Sequence, residues 1–437
     1  MDAVPPATDP WPAPRAAAPV DAVVDVPGSK SVTNRALVLA ALADGRSRVR
    51  NPLRARDTKL MAAALRALGV GVADDSDDWL VTPAPLHGEA TVDVGLAGTV
   101  LRFVPPLAAL ADGPVRFDGD PRARQRPLAP LLTGLRALGA SIDDGGRGGV
   151  PLTVHGAGRL PGGRATIDAS GSSQFVSGLL LAAPRYERGL RLRHAAAQPV
   201  PSGPQVAMTV HMLQDAGAGV ESDPDGRGWT VAPGRLSGRD LTVPPDLSSA
   251  APFVAAALAT GGRVRVPGWP RHSDQPGDRL PELLARMGAT CLLDGGGLTA
   301  ISGGRLDGLD ADLGDCTELV PVLVALAALA RTPSTFRGIA HMRGHETDRL
   351  AALATELTGL GGDVTETGDG LRVVPRPLRG GVVRTYHDHR LAMAAAVLGL
   401  AVDGVLVEDV ATTGKTVPDF VERWTGMLGT APAGIAH

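Results

Sequence analysis

The hydrophobic positions of this chain fall into a phrase that comes back. Leu65-Arg66-Ala67-Leu68-Gly69-Val70 recurs as Leu135-Arg136-Ala137-Leu138-Gly139-Ala140. Looser copies run from Leu213 to Gly217, Leu284 to Gly288 and Leu357 to Gly361, and a degenerate sixth lies at Trp424 to Leu428. Apolar residues at helical spacing, closed by a glycine, predict a helix with a C-terminal glycine stop. β-branched or apolar residues often follow, as in Val70-Gly71-Val72 and at Ile142, which adds a strand. The glycines stand roughly 70–80 residues apart, too long a period for a solenoid, so each copy marks a small multi-element α/β unit. Six units divide into two groups of three. Val23 to Val26 and Arg263 to Val266 supply short strands, and the Pro-rich Val243 to Asp246 a hinge. The apolar run Leu319 to Ala330 is too short to span a bilayer and reads as a buried helix.

Length and composition agree with that division. The chain has 437 residues, more than one ordinary core accommodates. Its net charge of −3 gives no bulk attraction to nucleic acid or acidic lipid. Cys291 and Cys316 stand alone, so no disulfide framework or zinc motif is expected, and a reducing cytoplasm fits. Residues 1–20, rich in Pro and Ala, read as a flexible N-terminal tail rather than a signal peptide.

Lysine usage changes the picture. Lys and Arg together number 43, yet the lysines are only Lys30, Lys59 and Lys415. A surface cation exchanges with arginine at little cost, whereas a compact ammonium meeting a phosphate does not, so each lysine is a candidate.

Two of the three sit in chemical clusters. Pro27-Gly28-Ser29-Lys30-Ser31-Val32-Thr33-Asn34-Arg35 places small residues, hydroxyls and two cations at a helix start, the arrangement that favours anions. It lacks the spacing of a phosphate-binding Walker loop. Gly95-Leu96-Ala97-Gly98-Thr99-Val100-Leu101-Arg102 is a second such start, and Gly171-Ser172-Ser173-Gln174-Phe175 a neutral one that taken alone reads better as a plain helix cap. Pro121 to Pro127 carries Arg122, Arg124 and Arg126 between prolines, a solvated loop or a clamp. In the second half, Arg343 to Leu350 crowds His345, Glu346, Asp348 and Arg349 at a helix start. In His387-Asp388-His389-Arg390 the histidines diverge on a helix, which favours an Arg390 anion contact held by Asp388 over zinc. Gly414-Lys415-Thr416 completes the set. So many cations, with Glu318 and Glu346 placed to move protons, suit two strongly anionic small substrates in a water-excluding cleft between two domains.

With these motifs in order, the chain resembles the 5-enolpyruvylshikimate-3-phosphate synthase family, the shikimate-pathway enzymes that glyphosate inhibits. The likeness runs from Val23 to Val421 through PGSKSxTNR, AGTxxR, RARQRP, GSSQF, HETDR, HDHR and GKT. It implies an α/β fold of two similar domains, each of three βαβαββ units in an inside-out α/β barrel, with the substrate cleft between them. The first lobe is expected over 28–244 and the second over 21–27 and 245–437. It implies transfer of the enolpyruvyl group of phosphoenolpyruvate to the 5-hydroxyl of shikimate 3-phosphate, without metal or cofactor, by a cytoplasmic monomer that engages neither nucleic acid nor membrane. Catalytic roles would fall to Lys30, Glu318, Glu346 and His345. Shikimate 3-phosphate would meet Lys30, Ser31, Arg35, Ser172, Ser173, Gln174, Ser202, Glu318, His341 and His345. Phosphoenolpyruvate would meet Lys30, Gly98, Thr99, Arg102, Arg126, Gln174, Arg349, Arg390 and Lys415.

Some positions depart from the family pattern. Leu96 stands for an asparagine, Gln205 for a tyrosine, His341 for an asparagine, His345 for a lysine, and Glu318 for an aspartate. The sister enzymes acting on UDP-N-acetylglucosamine are the nearest alternative; they carry a cysteine in the loop equivalent to Asp118 to Pro127, which has none here. A polyanion-binding protein would explain the arginines but neither glutamate, and aromatic residues make up only 3%, too few to stack nucleobases.

Overall fold

A computed structural model describes residues 9–429. The chain divides into two compact units: Gly28–Pro244, and the described residues before and after it. It passes between them at Pro27–Gly28 and Pro244–Pro245.

One four-stranded pattern recurs three times in the first unit and twice in the second. In Gly28–Pro244 one sheet runs Ala90–Asp93, Pro114–Asp118, Leu152–His155, Ser141–Asp143, with the first pair parallel and the others antiparallel. The same order and sense recur in Gly163–Ile167, Leu190–His194, Gly228–Val231, Val220–Ser222. They recur again in Asp240–Thr242, Ser47–Arg50, Asp78–Thr82, Gly71–Asp75. In the other unit, Asp21–Val23 lies beside Arg263–Pro267 and Asp310–Asp312 beside Ser334–Arg337, each pair parallel and extended by an antiparallel hairpin.

The recurring Leu-Gly phrase closes the second helix of every unit. Gly69, Gly139, Gly217, Gly288, Gly361 and Gly429 all have φ between 67° and 108°, a region open to glycine without a Cβ clash. Val70 N donates to Leu65 O, and Ala140, Ala218 and Gly362 repeat that bond, satisfying a carbonyl the helix leaves open.

The sixth unit differs. Gly381–Val383 pairs with Val405–Val407, whose other edge is covered by Trp11–Pro12. The expected loose tail is therefore corrected: residues 1–8 lie outside the described residues, but those from 9 on are packed. Trp11 is buried edge-on against Phe420, and Ala13 N and Ala16 N donate to Val405 O and Leu400 O. A tryptophan's burial outweighs the Pro- and Ala-rich composition that suggested looseness.

Helices lie inside and sheets outside. In one unit the helices Lys30–Ala41, Gly98–Ala108 and Ser173–Ala182 pack on one another; in the other, Leu247–Thr260, Val320–Leu329 and His389–Gly399 do. These helices are buried almost all round, as Val320 to Ala328 shows without a break. Strands alternate instead: Leu190, Leu192 and His194 point inward, Arg191 and Arg193 outward. Each unit keeps its own hydrophobic core. Among the described residues no helix is long and apolar enough to cross a membrane.

Candidate functional site

Four of the chemical motifs sit where inner helices begin. Ser29 caps Lys30–Ala41, accepting from Val32 N, and Ser172 caps Ser173–Ala182, accepting from Gln174 N at 3.2 Å. Gly98–Ala108 starts in the Ala97-Gly98-Thr99 turn. These starts lie side by side: Asn34 Nδ2 donates to Thr99 Oγ1 at 2.9 Å, and Arg35 reaches Ser177 Oγ at 3.3 Å. Three helices presenting their N-termini together carry unpaired N–H groups and partial positive charge, a ready anion cradle.

The cations of this half take different posts. Lys30 Nζ lies 3.8 Å from Asp57 Oδ2, whose side chain is 2% exposed against 19% for the lysine. Arg35 is buried, with Nε on Thr209 Oγ1 at 2.7 Å and other bonds to Ser31 O, Ser177 Oγ and Gln205 O. Burial pushes its pKa down, and those acceptors hold its charge in place. It braces the cluster, with Ser31 at its side. Arg102 Nη2 donates to Pro127 O and Arg126 Nη1 to Leu96 O. Both guanidinium groups stand over Gly98, where an added Cβ would meet their nitrogens at 3.0 Å. Of the basic loop, Arg126 turns in while Arg124 pairs with Asp118 outside at 3.0 Å. Ser173 is buried, and Ser202 holds a left-handed φ of 52° at the start of Gly203–Asp215. That strain in a non-glycine residue fits a binding turn.

The second half centres on Glu346. Lys415 Nζ donates to its Oε1 at 2.6 Å and Arg349 Nη2 to its Oε2 at 3.0 Å. Arg349 is also gripped by Asp388, Nε to Oδ2 at 2.7 Å and Nη2 to Oδ1 at 3.2 Å. The flanking carboxylates hold its pKa above the usual arginine value despite burial. Asp388 also caps His389–Gly399, accepting from Arg390 N at 2.8 Å. Arg390 is buried with Nη1 on Ser248 O at 2.7 Å, and burial lowers its pKa. His387 is exposed while His389 is buried, so the two histidines do diverge. Among the described residues no group of His, Cys, Asp or Glu is arranged to hold a metal.

His345 Nδ1 lies 3.0 Å from Arg349 Nη1. A guanidinium only donates, so Nδ1 is the acceptor in that contact. His341 stands edge-on to it at 5.8 Å, and burial lowers its pKa. Gln174 Oε1, Arg126 Nε, Glu318 Oε2 and His341 Nε2 are buried without a hydrogen-bond partner among the described residues. Buried polar atoms normally find partners, so each of these four is open to one.

The three lysines separate cleanly. Lys30 and Lys415 join the clusters, whereas Lys59 is exposed on Arg56–Ala67. Sequence reasoning missed Asp57, Ser177 and Thr209, which hold Lys30 and Arg35. A signal existed for Asp57: it shares the apolar face of its helix with Met61 and Leu65, and a carboxylate there needs a partner.

Comparison with known proteins gives the chain its family. The sequence model of the family described as EPSP synthase (3-phosphoshikimate 1-carboxyvinyltransferase) matches residues 14–424. A 3-phosphoshikimate 1-carboxyvinyltransferase of Kocuria rhizophila is 54% identical over 433 residues, 97% of each chain. The EPSP synthase structure of Acinetobacter baumannii aligns with a TM-score of 0.78 at 26% identity, over 96% of this chain and 97% of that one. The enolpyruvyl transferase NikO of Streptomyces tendae shares the fold, at a TM-score of 0.73 and 21% identity over 94% and 96% of the two chains. By the family match and the relative more than half identical along nearly its whole length, the chain belongs to the EPSP synthase family.

Proposed function

We propose that the protein catalyses 3-phosphoshikimate 1-carboxyvinyl transfer, moving the enolpyruvyl group of phosphoenolpyruvate to the 5-hydroxyl of shikimate 3-phosphate. The observation that carries the reading is Glu346 held between Lys415 and Arg349. A carboxylate that must exchange protons sits against two cations suited to a phosphate and a carboxylate. The hydroxyl oxygen adds to C2 while C3 takes a proton, giving a tetrahedral intermediate. That intermediate loses C3–H and phosphate to restore the double bond. Glu346 handles the proton at C3, and Glu318 takes the proton leaving the hydroxyl. Lys30, Arg126, Arg349, Arg390 and Lys415 offset the anionic charge as it shifts. Gly98, Thr99 and Arg102 shape the phosphoenolpyruvate side. Ser31, Ser172, Ser173, Gln174, Ser202, His341 and His345 hold the phosphorylated sugar acid, with Arg35 bracing them. The protein works as a cytoplasmic monomer, a setting that suits its free thiols Cys291 and Cys316.

The test is phosphate release from phosphoenolpyruvate with either shikimate 3-phosphate or UDP-N-acetylglucosamine as acceptor. Turnover is expected with the first alone; turnover with the second alone would overturn the reading.

The cradle at Gly98 makes a separate prediction. In Gly98→Ala the new methyl group crowds the Arg102 and Arg126 guanidinium groups at 3.0 Å and shifts them slightly, and the KM for phosphoenolpyruvate rises about 10-fold, since such groups act only in place. An unchanged KM would remove Gly98 from the site.

A further inference from the structure

Beyond the motif residues, a pair of side chains sets the posture of the second cluster. The helix Arg349–Gly359 presents Arg349 and Glu356, two turns apart, on one face. Both reach the same stretch of chain. Arg349 meets Asp388, while Glu356 Oε1 accepts from Tyr386 Oη at 2.6 Å and Oε2 from Arg384 N at 2.9 Å. Glu408 Oε2 holds Thr385 N at 3.1 Å. Between these anchors, Tyr386 and His387 are consecutive non-glycine residues in left-handed backbone, with φ of 52° and 56°. That conformation is costly for residues bearing a Cβ and persists only where the surroundings enforce it. Directly after it comes Asp388, which grips Arg349 and caps the helix bearing Arg390. The His387 ring is exposed and lies no nearer than 4.0 Å to Asp409, so it does little of the enforcing.

We propose that the Glu356–Tyr386 hydrogen bond is a latch that holds the turn before Asp388 and so positions Arg349 and Arg390 for the phosphoenolpyruvate anion. Glu356 and Tyr386 are positioning residues, acting through Asp388. The inference rests on the proposed role of Arg349. Released from the latch, the turn relaxes toward ordinary φ values and Asp388 swings from its bidentate grip. Arg349 and Arg390 then sample orientations that no longer match a carboxylate or phosphate. Ser31, Ser172, Ser173, Gln174 and Ser202 lie on other elements and are untouched; of the sugar-phosphate residues only His345 meets Arg349, at 3.0 Å, so the effect falls chiefly on phosphoenolpyruvate.

The experiment measures KM for each substrate, kcat and the thermal midpoint for Tyr386→Phe and Glu356→Gln, each alone and with Asp388→Asn. All assays run well below each variant's midpoint. The expected result is a 5- to 10-fold rise in KM for phosphoenolpyruvate, KM for shikimate 3-phosphate within about twofold, and less than a further twofold from Tyr386→Phe once Asp388 is changed. A lowered midpoint with unchanged KM, equal rises for both substrates, or full multiplication on Asp388→Asn would each overturn the latch. Arg349→Lys separates the two levels. If it leaves phosphoenolpyruvate affinity intact, the role of Arg349 fails and the latch with it. If it weakens affinity while Tyr386→Phe does not, the latch alone fails.

Discussion

Glu346→Gln lowers turnover by at least about 100-fold, the scale of a lost general acid or base, without weakening phosphoenolpyruvate binding. The two halves of that expectation have different origins. The turnover loss follows from chemistry, because an amide neither gives nor takes the proton at C3. The binding follows from geometry. Glu346 lies 2.6 Å from Lys415 Nζ and 3.0 Å from Arg349 Nη2, so in the ligand-free protein it competes with any anion for those cations. The side chains are 13%, 7% and 3% exposed, so water screens that competition little. Glutamine removes the competing charge and keeps the volume. Phosphate release under single-turnover conditions gives the rate, and calorimetric titration the affinity. Turnover within tenfold of the parent would remove Glu346 as the proton carrier.

Lys30→Met has an effect of similar size by another route. Turnover falls by at least about 100-fold, as expected for loss of a preorganised charge stabiliser, and Lys30→Arg does not restore it. Arg35, one turn along the same helix, cannot take over. Its guanidinium is tied to Thr209, Ser31, Ser177 and Gln205 inside the unit. The ammonium stands where the helix start adds its own partial charge, and Asp57, 3.8 Å away and buried, fixes its direction. A planar guanidinium is too broad for a post shaped around a compact charge. Initial rates for the three proteins, with thermal midpoints to show that each is folded, check the claim. Full rescue by arginine would show that Lys30 supplies only diffuse charge.

Much of the fold was legible because it repeats. The Leu-Gly phrase marks a real structural event, a helix halted by a glycine with positive φ, at each of its six occurrences. A backbone requirement of that kind leaves its trace at one position. The motif positions were legible for a related reason. Ser29, Ser172 and Asp388 all cap inner helices, and capping chemistry is local. The N-terminal segment was misread because its Pro and Ala content describes the loose chain well. What holds it is Trp11 against Phe420 and an open strand edge at Val405–Val407, partners about 400 residues away, which composition does not reveal.

By itself the sequence determined which residue types stand at which helix starts, where each helix stops, and that lysine is confined to three positions. Only the tertiary structure decided what each charge does. It turned Arg126 inward and Arg124 outward, made Arg35 a brace, set Glu346 between two cations, and tied Glu356 to Tyr386 across 30 residues. The division has a physical cause. Caps and turns are satisfied within a few residues, so the chain writes them locally. An ion's role depends on which partners surround it and how little water remains, and both are fixed only when distant segments pack together.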